Sequence, residues 1–360
     1  MFYQKKYSVI ICPDFGTCQT IRWGLWVSKL NGLAGGETRY IVLDEPIFDS
    51  YLLYHTASVI FSRPLNESHV GIIRKYAGLK KKYNFDICVE LDDLLFSVQG
   101  RNTLPPWNIA NIDTLEVNRL YREGILGSVD RWIASTKTIA FALVQEFGID
   151  PDKVSVLPNY CHTSAYWDEH RPSRKKKLDV FYTGSASHYM KGNVGDFEGP
   201  WIDGITLAME KGLIKFHAFG EESDVLPRGT IYHEHVFPTL WPSTLSHYAP
   251  DAIVCPLKNH LFNKAKTPLK ILEAAAVGSV PIASVFPGSP YSGLTPALCA
   301  VGKDTTVDDI VDIFDSLRDP VVRKECIKTI RHVVAEKCLV AEMKPGTDYF
   351  VKTVFGKYLD

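Results

Sequence analysis

The sequence predicts an α/β chain with two doubly wound parallel sheets facing a central cleft. Three observations carry that expectation. Short apolar runs alternate with helical periodicities along the chain, which is the pattern of successive βαβ units. The alternation breaks once, near residues 162–178, at the polar and basic run Arg171-Pro172-Ser173-Arg174-Lys175-Lys176-Lys177, and then restarts. At 360 residues, with 46% hydrophobic and 12% aromatic content, the chain has the length for two domains and the material for two cores.

In the first half, apolar runs predict strands at 7–13, 39–43, 58–62, 87–91, 131–135 and 154–157. Helical patterns between them predict helices at 17–30, 68–80, 114–126 and 136–147. The second half predicts strands at 180–183, 214–219, 230–233, 252–256, 281–285 and 299–301. Helices are expected there at 202–211, 239–247, 267–277 and 307–317, followed by 320–338 and 347–358. The expected division is a first domain over 1–165, a linker over 166–178, and a second domain over 179–340. The final segment, 341–360, is expected to be a helix packing back on the first domain. The basic run reads as a solvated linker rather than a phosphate or DNA contact, because charge runs usually face water.

A net charge of −1 gives no general pull toward nucleic acid or anionic membrane. The eight cysteines form no Cys-x-x-Cys pair, so no zinc site is expected. Cys12, Cys88, Cys255 and Cys299 fall in apolar runs and read as buried thiols suited to a reducing cytoplasm. The start of the sequence is too short and polar for a secretory signal, and no apolar run can span a bilayer. The expected location is cytoplasmic.

The stretch from Phe262 to Gly278 carries the clearest chemistry. Thr267 reads as a helix N-cap and Pro268 as the first helical residue. Leu269, Leu272, Ala275 and Ala276 form an apolar stripe, and Gly278 stops the helix. Helix N-termini prefer carboxylates, yet Lys264, Lys266 and Lys270 cluster here, at about 0.3–1 kcal/mol per misplaced charge. A bound anion reverses that sign. A pyrophosphate would accept from the helix N–H groups and from Lys266 and Lys270. Glu273, a turn deeper, would accept from two ribose hydroxyls. The plain alternative is a surface Lys270–Glu273 pair worth a few tenths of a kcal/mol. Gly184 and Ser185 follow a predicted strand, where a tight turn lets backbone N–H groups approach a phosphate.

The segments Asp251–Leu257, Phe262–Lys266 and Lys270–Ser284 together resemble the donor-site block of family-four-like glycosyltransferases. The loop Phe286-Pro287-Gly288-Ser289-Pro290-Tyr291 resembles the tyrosine loop that follows it in such enzymes. Tyr182-Thr183-Gly184-Ser185-Ala186-Ser187-His188 resembles the start of their C-terminal domain. Glu90-Leu91-Asp92-Asp93-Leu94-Leu95-Phe96 resembles an acidic strand end. Ile133–Thr136 with Val156–Tyr160 resembles the stretch that joins the domains. The match runs in order from about residue 57 to 291.

The resemblance implies the GT-B fold, with two Rossmann-like domains, an acceptor-side one first and a donor domain second. It implies transfer of a sugar from a nucleoside-diphosphate sugar, with UDP the expected nucleotide, to an acceptor hydroxyl with retention. The expected donor-site residues are Gly16, Thr17, Gly184, Ser185, Asn263, Lys266, Lys270, Glu273, Ser289 and Tyr291. Asp92, Asp93 and His188 are the catalytic candidates; either aspartate could orient the acceptor or act as base, with Asp92 preferred, and His188 could donate to phosphate or sugar. Trp107 is the candidate acceptor contact, whereas most of the seven tryptophans read as core fillers. Arg63 and Arg101 could reach the same cleft. No metal site is expected; a divalent cation could be held by Asp92 or Asp93 but is not required. In one respect the chain departs from the family: many relatives carry a Glu-x7-Glu pattern, and Lys266 stands at its first position. The acceptor class stays open between glycan, lipid-linked and modified DNA hydroxyls, the last as in phage enzymes that glycosylate hydroxymethylpyrimidines. A binding protein without turnover is the alternative of another class.

Overall fold

A computed structural model describes residues 7–12, 23, 27, 39–43, 45–97, 113–159, 175–184, 195–220, 222–237 and 240–338. Among the described residues, twelve strands form two sheets of six, all paired in parallel. The first sheet contains β1 (Tyr7–Ile11), β2 (Arg39–Leu43), β3 (Thr56–Ser62), β4 (Asp86–Leu91), β5 (Arg131–Ala134) and β6 (Val154–Val156), in spatial order β2-β1-β3-β4-β5-β6. The second contains β7 (Leu178–Tyr182), β8 (Ile214–Phe219), β9 (Ile231–His233), β10 (Ala252–Cys255), β11 (Val280–Ser284) and β12 (Ala300–Val301), in order β12-β11-β10-β7-β8-β9. That second order reverses between β7 and β10. In open α/β sheets such a switch point leaves a crevice at the carboxyl ends of the strands.

The strands are buried on both faces, as covered parallel sheets require. In the first sheet Val9, Val59 and Val89 pack beneath helices α2 (Glu67–Tyr83) and α4 (Lys137–Phe147), while Ile10, Ile60, Cys88 and Ile133 line the opposite core. In the second, Val180, Val254 and Ile282 face one way and Phe181, Ile253 and Ala283 the other. The predicted buried thiols Cys12, Cys88, Cys255 and Cys299 are all fully buried. Cys299, however, sits in a short 3-10 turn just before β12.

Two helices lay outside the sequence expectation. The first, α1 (Ser50–His55), has only six residues and is held by its cap, where Leu52 N donates to Asp49 Oδ1 at 2.8 Å. The second, α7 (Leu261–Lys264), is a single turn. The helix expected over 114–126 divides into α3 (Thr114–Leu120) and a π turn over Tyr121–Ile125. Gly124 in that turn lies against α2, where a Cβ would fall 2.6 Å from Val70 Cγ1.

The basic run is not wholly a solvated linker. Lys175 Nζ lies 2.8 Å from Asp251 Oδ2 and 3.1 Å from Asp179 Oδ2. The Asp251 side chain is fully buried and also faces Arg323 Nε at 3.8 Å. A buried carboxylate needs such partners, so Lys175 ties the entry of β7 to the strand that flanks it. Residues 160–174 and 339–360, including the expected final helix, lie outside the described residues. Among the described residues, no helix is long and apolar enough to cross a membrane.

Candidate functional site

The chain leaves β10, turns through α7, and enters α8 (Leu269–Val277), which starts at the crevice between β7 and β10. The expected Thr267 cap is not formed. Pro268 occupies the cap position, which can offer no side-chain acceptor, and the first turn contains no acid. Thr267 Oγ1 instead accepts from Asn159 Nδ2 at 3.1 Å. The leading N–H groups of α8 therefore have no side-chain cap and carry the positive end of the helix dipole.

Lys270 sits at this end, partly buried. Its Nζ lies 3.4 Å from Tyr182 Oη and 4.5 Å from the centre of the Tyr182 ring. Among the described residues no carboxylate lies within 4.0 Å of it. Burial pushes its ammonium below the ordinary lysine range. Gly184, just after β7, lies close against Tyr182 and Lys270. A Cβ there would overlap Tyr182 Oη and fall 2.6 Å from Lys270 Nζ. Gly184→Ala is expected to destabilise the protein by about 1–3 kcal/mol, read as a lower denaturation midpoint. An unchanged midpoint would mean that the tyrosine and lysine move aside freely.

Glu273 lies one turn further along α8. It is not half of a surface pair with Lys270, because its side chain is only 5% exposed and its oxygen accepts from Trp241 Nε1 at 2.9 Å. Burial raises its carboxyl to about 7, against the opposing influence of the Trp241 hydrogen bond and the Lys270 charge. Trp241 stands at the start of α6 (Trp241–Tyr248). Nothing local in the sequence distinguishes it from the other tryptophans; Trp132 and Trp201 are core residues.

Lys266 reaches across the crevice. Its Nζ lies 4.7 Å from the centre of the Phe262 ring and 3.6 Å from Asp93 Oδ1. The two acidic candidates thus separate. Asp93 meets Lys266, whereas Asp92 is buried with its Oδ1 3.1 Å from Arg63 Nε. Arg63 has φ +50°, a left-handed conformation that side chains rarely adopt, directly after β3. Glu90, fully buried two residues before Asp92, accepts from Ser62 Oγ at 2.7 Å.

Three expected donor residues act as braces. Asn263 is fully buried, and its Nδ2 donates to Asp196 Oδ1 at 2.8 Å and to Lys258 O at 3.0 Å. Ser289 Oγ donates to Ser284 O at 3.0 Å and accepts from Tyr291 N at 3.2 Å. Tyr291 lies in the core beside α8. These buried side chains shape the loops around α8. Asp196, which locks Asn263 and also accepts from Lys258 N at 3.1 Å, was not foreseen, since its partners lie far away in sequence. Gly16, Thr17, Trp107, Ser185 and His188, with Arg101, lie outside the described residues. Among the described residues, no group of three His, Cys, Asp or Glu is placed to hold a metal ion.

No protein-family model matches the chain, and no curated protein matches it either. Solved structures do resemble it. TarM aligns with TM-score 0.55 at 13% identity, over 84% of this chain and 55% of TarM, so the chain spans little more than half of TarM's length. A glycosyltransferase from Rickettsia africae ESF-5 aligns with TM-score 0.58 at 12% identity, over 98% of this chain and 99% of that one. Anabaena HepE, solved in complex with UDP and glucose, aligns with TM-score 0.57 at 10% identity, over 97% of this chain and all of its own, 100%. The likeness at these identities is one of fold: the two six-stranded parallel sheets have the GT-B architecture of glycosyltransferases.

Proposed function

We propose that the protein is a glycosyltransferase that moves a sugar from a UDP-sugar to an acceptor hydroxyl, with retention of configuration. The observation that carries this reading is the Lys270 ammonium, held at the uncapped start of α8 against Gly184 with no carboxylate beside it among the described residues. A partly buried cation at a helix N-terminus suits an anion. The sequence resemblance makes that anion a nucleoside diphosphate, and the GT-B fold supports the same assignment.

In this reading the helix N–H groups and Lys270 hold the diphosphate. As the bond to the sugar breaks, negative charge grows on that leaving group, and fixed donors stabilise it there without reorganising. Glu273 accepts from the ribose hydroxyls. On the facing domain, Asp92, steadied by Arg63, orients the acceptor hydroxyl. Approach of the two domains excludes water and so protects the donor from hydrolysis. A hydroxymethylpyrimidine DNA acceptor draws no support from the basic face of α2, where Arg74 pairs with Glu67 at 3.0 Å and Lys80 pairs with Asp130.

A thermal-shift panel of nucleoside diphosphates and their sugars tests the reading. A UDP-sugar present at 100 times its dissociation constant should stabilise the protein by about 2.7 kcal/mol. Absence of any shift with every nucleotide, at millimolar concentration, would refute it.

A further inference from the structure

The segment 262–267 belongs by sequence to the second domain but is anchored in the first. Phe262 and Ala265 are buried in the first domain's core. Thr136 Oγ1 donates to Ala265 O at 3.0 Å, and Asn159 Nδ2 donates to Thr267 Oγ1 at 3.1 Å. These contacts flank Lys266 on both sides, so its backbone is fixed relative to the end of β4, where Asp93 lies. The 3.6 Å ion pair between Lys266 and Asp93 is therefore a built contact between the domains.

It is also a weak one. A direct charge-assisted hydrogen bond is about 2.7–2.9 Å long, and these side chains are 19% and 21% exposed, so water screens the pair. Lys266 precedes Lys270 by four residues, and after burial its charge also contributes to depressing the Lys270 ammonium. An anion reaching the start of α8 meets both lysines, and a diphosphate brings more charge to Lys266 than one carboxylate does.

We propose that Lys266 exchanges Asp93 for the donor's diphosphate, so that donor binding breaks the Lys266–Asp93 pair. The exchange rests on the diphosphate assignment above. Asp93 is then a positioning residue that acts through Lys266. In the free protein it pairs with the lysine, and in the donor complex the diphosphate takes its place.

The test is calorimetric titration of the full chain with UDP and with inorganic pyrophosphate. Removing a competitor should tighten binding, so Asp93→Asn and Asp93→Ser should bind UDP about three- to tenfold more tightly than wild type. Lys266→Ala should weaken binding, and in that background Asp93→Asn should have no further effect, as a double-mutant cycle requires of a coupled pair. Lys266→Arg, which retains charge and partner, should stay within about twofold of wild type. A purely structural role for Asp93 would not produce tighter binding. Equal or weaker binding by both Asp93 variants, with wild type still binding UDP, overturns the exchange alone. Failure of wild type to bind either ligand overturns the exchange together with the diphosphate assignment beneath it.

Discussion

Lys270→Met should lower UDP affinity by roughly 10- to 100-fold, the equivalent of one charge-assisted contact of about 1.5–3 kcal/mol. It should do so without loss of fold. The ammonium has no carboxylate partner within 4.0 Å among the described residues, and burial already disfavours its charge. Replacing it with an apolar stem of similar length removes a desolvated cation, so the denaturation midpoint should hold or rise. The two readouts move in opposite directions only if the lysine serves a ligand rather than the core. Calorimetry and thermal melting on one preparation measure both. Unchanged affinity would remove the lysine from the diphosphate site, and a large fall in midpoint would make it a structural residue.

The second large effect concerns Glu273. Its carboxyl is pushed from the ordinary 4.5 to about 7, chiefly by burial. Ribose hydroxyls donate best to the ionised form. Affinity for a UDP-sugar should therefore fall about tenfold for each pH unit below about 7, and flatten above it. Glu273→Gln should remove this slope. Glu273→Ala, which also strands the Trp241 N–H, should cost about 100-fold or more in affinity, from two contacts to a charged acceptor. The free protein shows the linked effect with the opposite sign. Between 4.5 and about 7 the folded state holds a proton that the unfolded chain has lost. The stability contributed by that proton is present below 4.5 and is lost as pH rises through about 7, a swing on the order of 3 kcal/mol. Titrations and melts across pH 5–8 would read both slopes (roughly the window in which such a group changes charge). A slope that persists in Glu273→Gln would assign it to another group.

All twelve strands were legible because buried parallel strands are apolar runs, and those runs survive in one dimension. The helices α1 and α7 were not legible, since six and four residues carry no period. The start of α8 was legible in its charge and misread in its cap, because Thr267 is drawn away by Asn159 on the other domain. Lys266, Lys270 and Glu273 stood out because they share one short stretch of chain. Their pairing with Asp93, Tyr182 and Trp241 did not, because those contacts are made only by the tertiary fold. Tertiary contacts likewise explain why Asn263 braces a loop: Asp196 and Lys258 accept from its amide nitrogen.

A crystal structure of the protein with UDP is the most direct measurement of the central claim, that the start of α8 is a diphosphate site. A phosphate oxygen should lie at hydrogen-bond distance, about 2.7–3.2 Å, from Lys270 Nζ, beside the Gly184 backbone, with the ribose hydroxyls on Glu273. UDP bound elsewhere, with Lys270 still lying over the Tyr182 ring and Glu273 out of reach of the ribose, would contradict it.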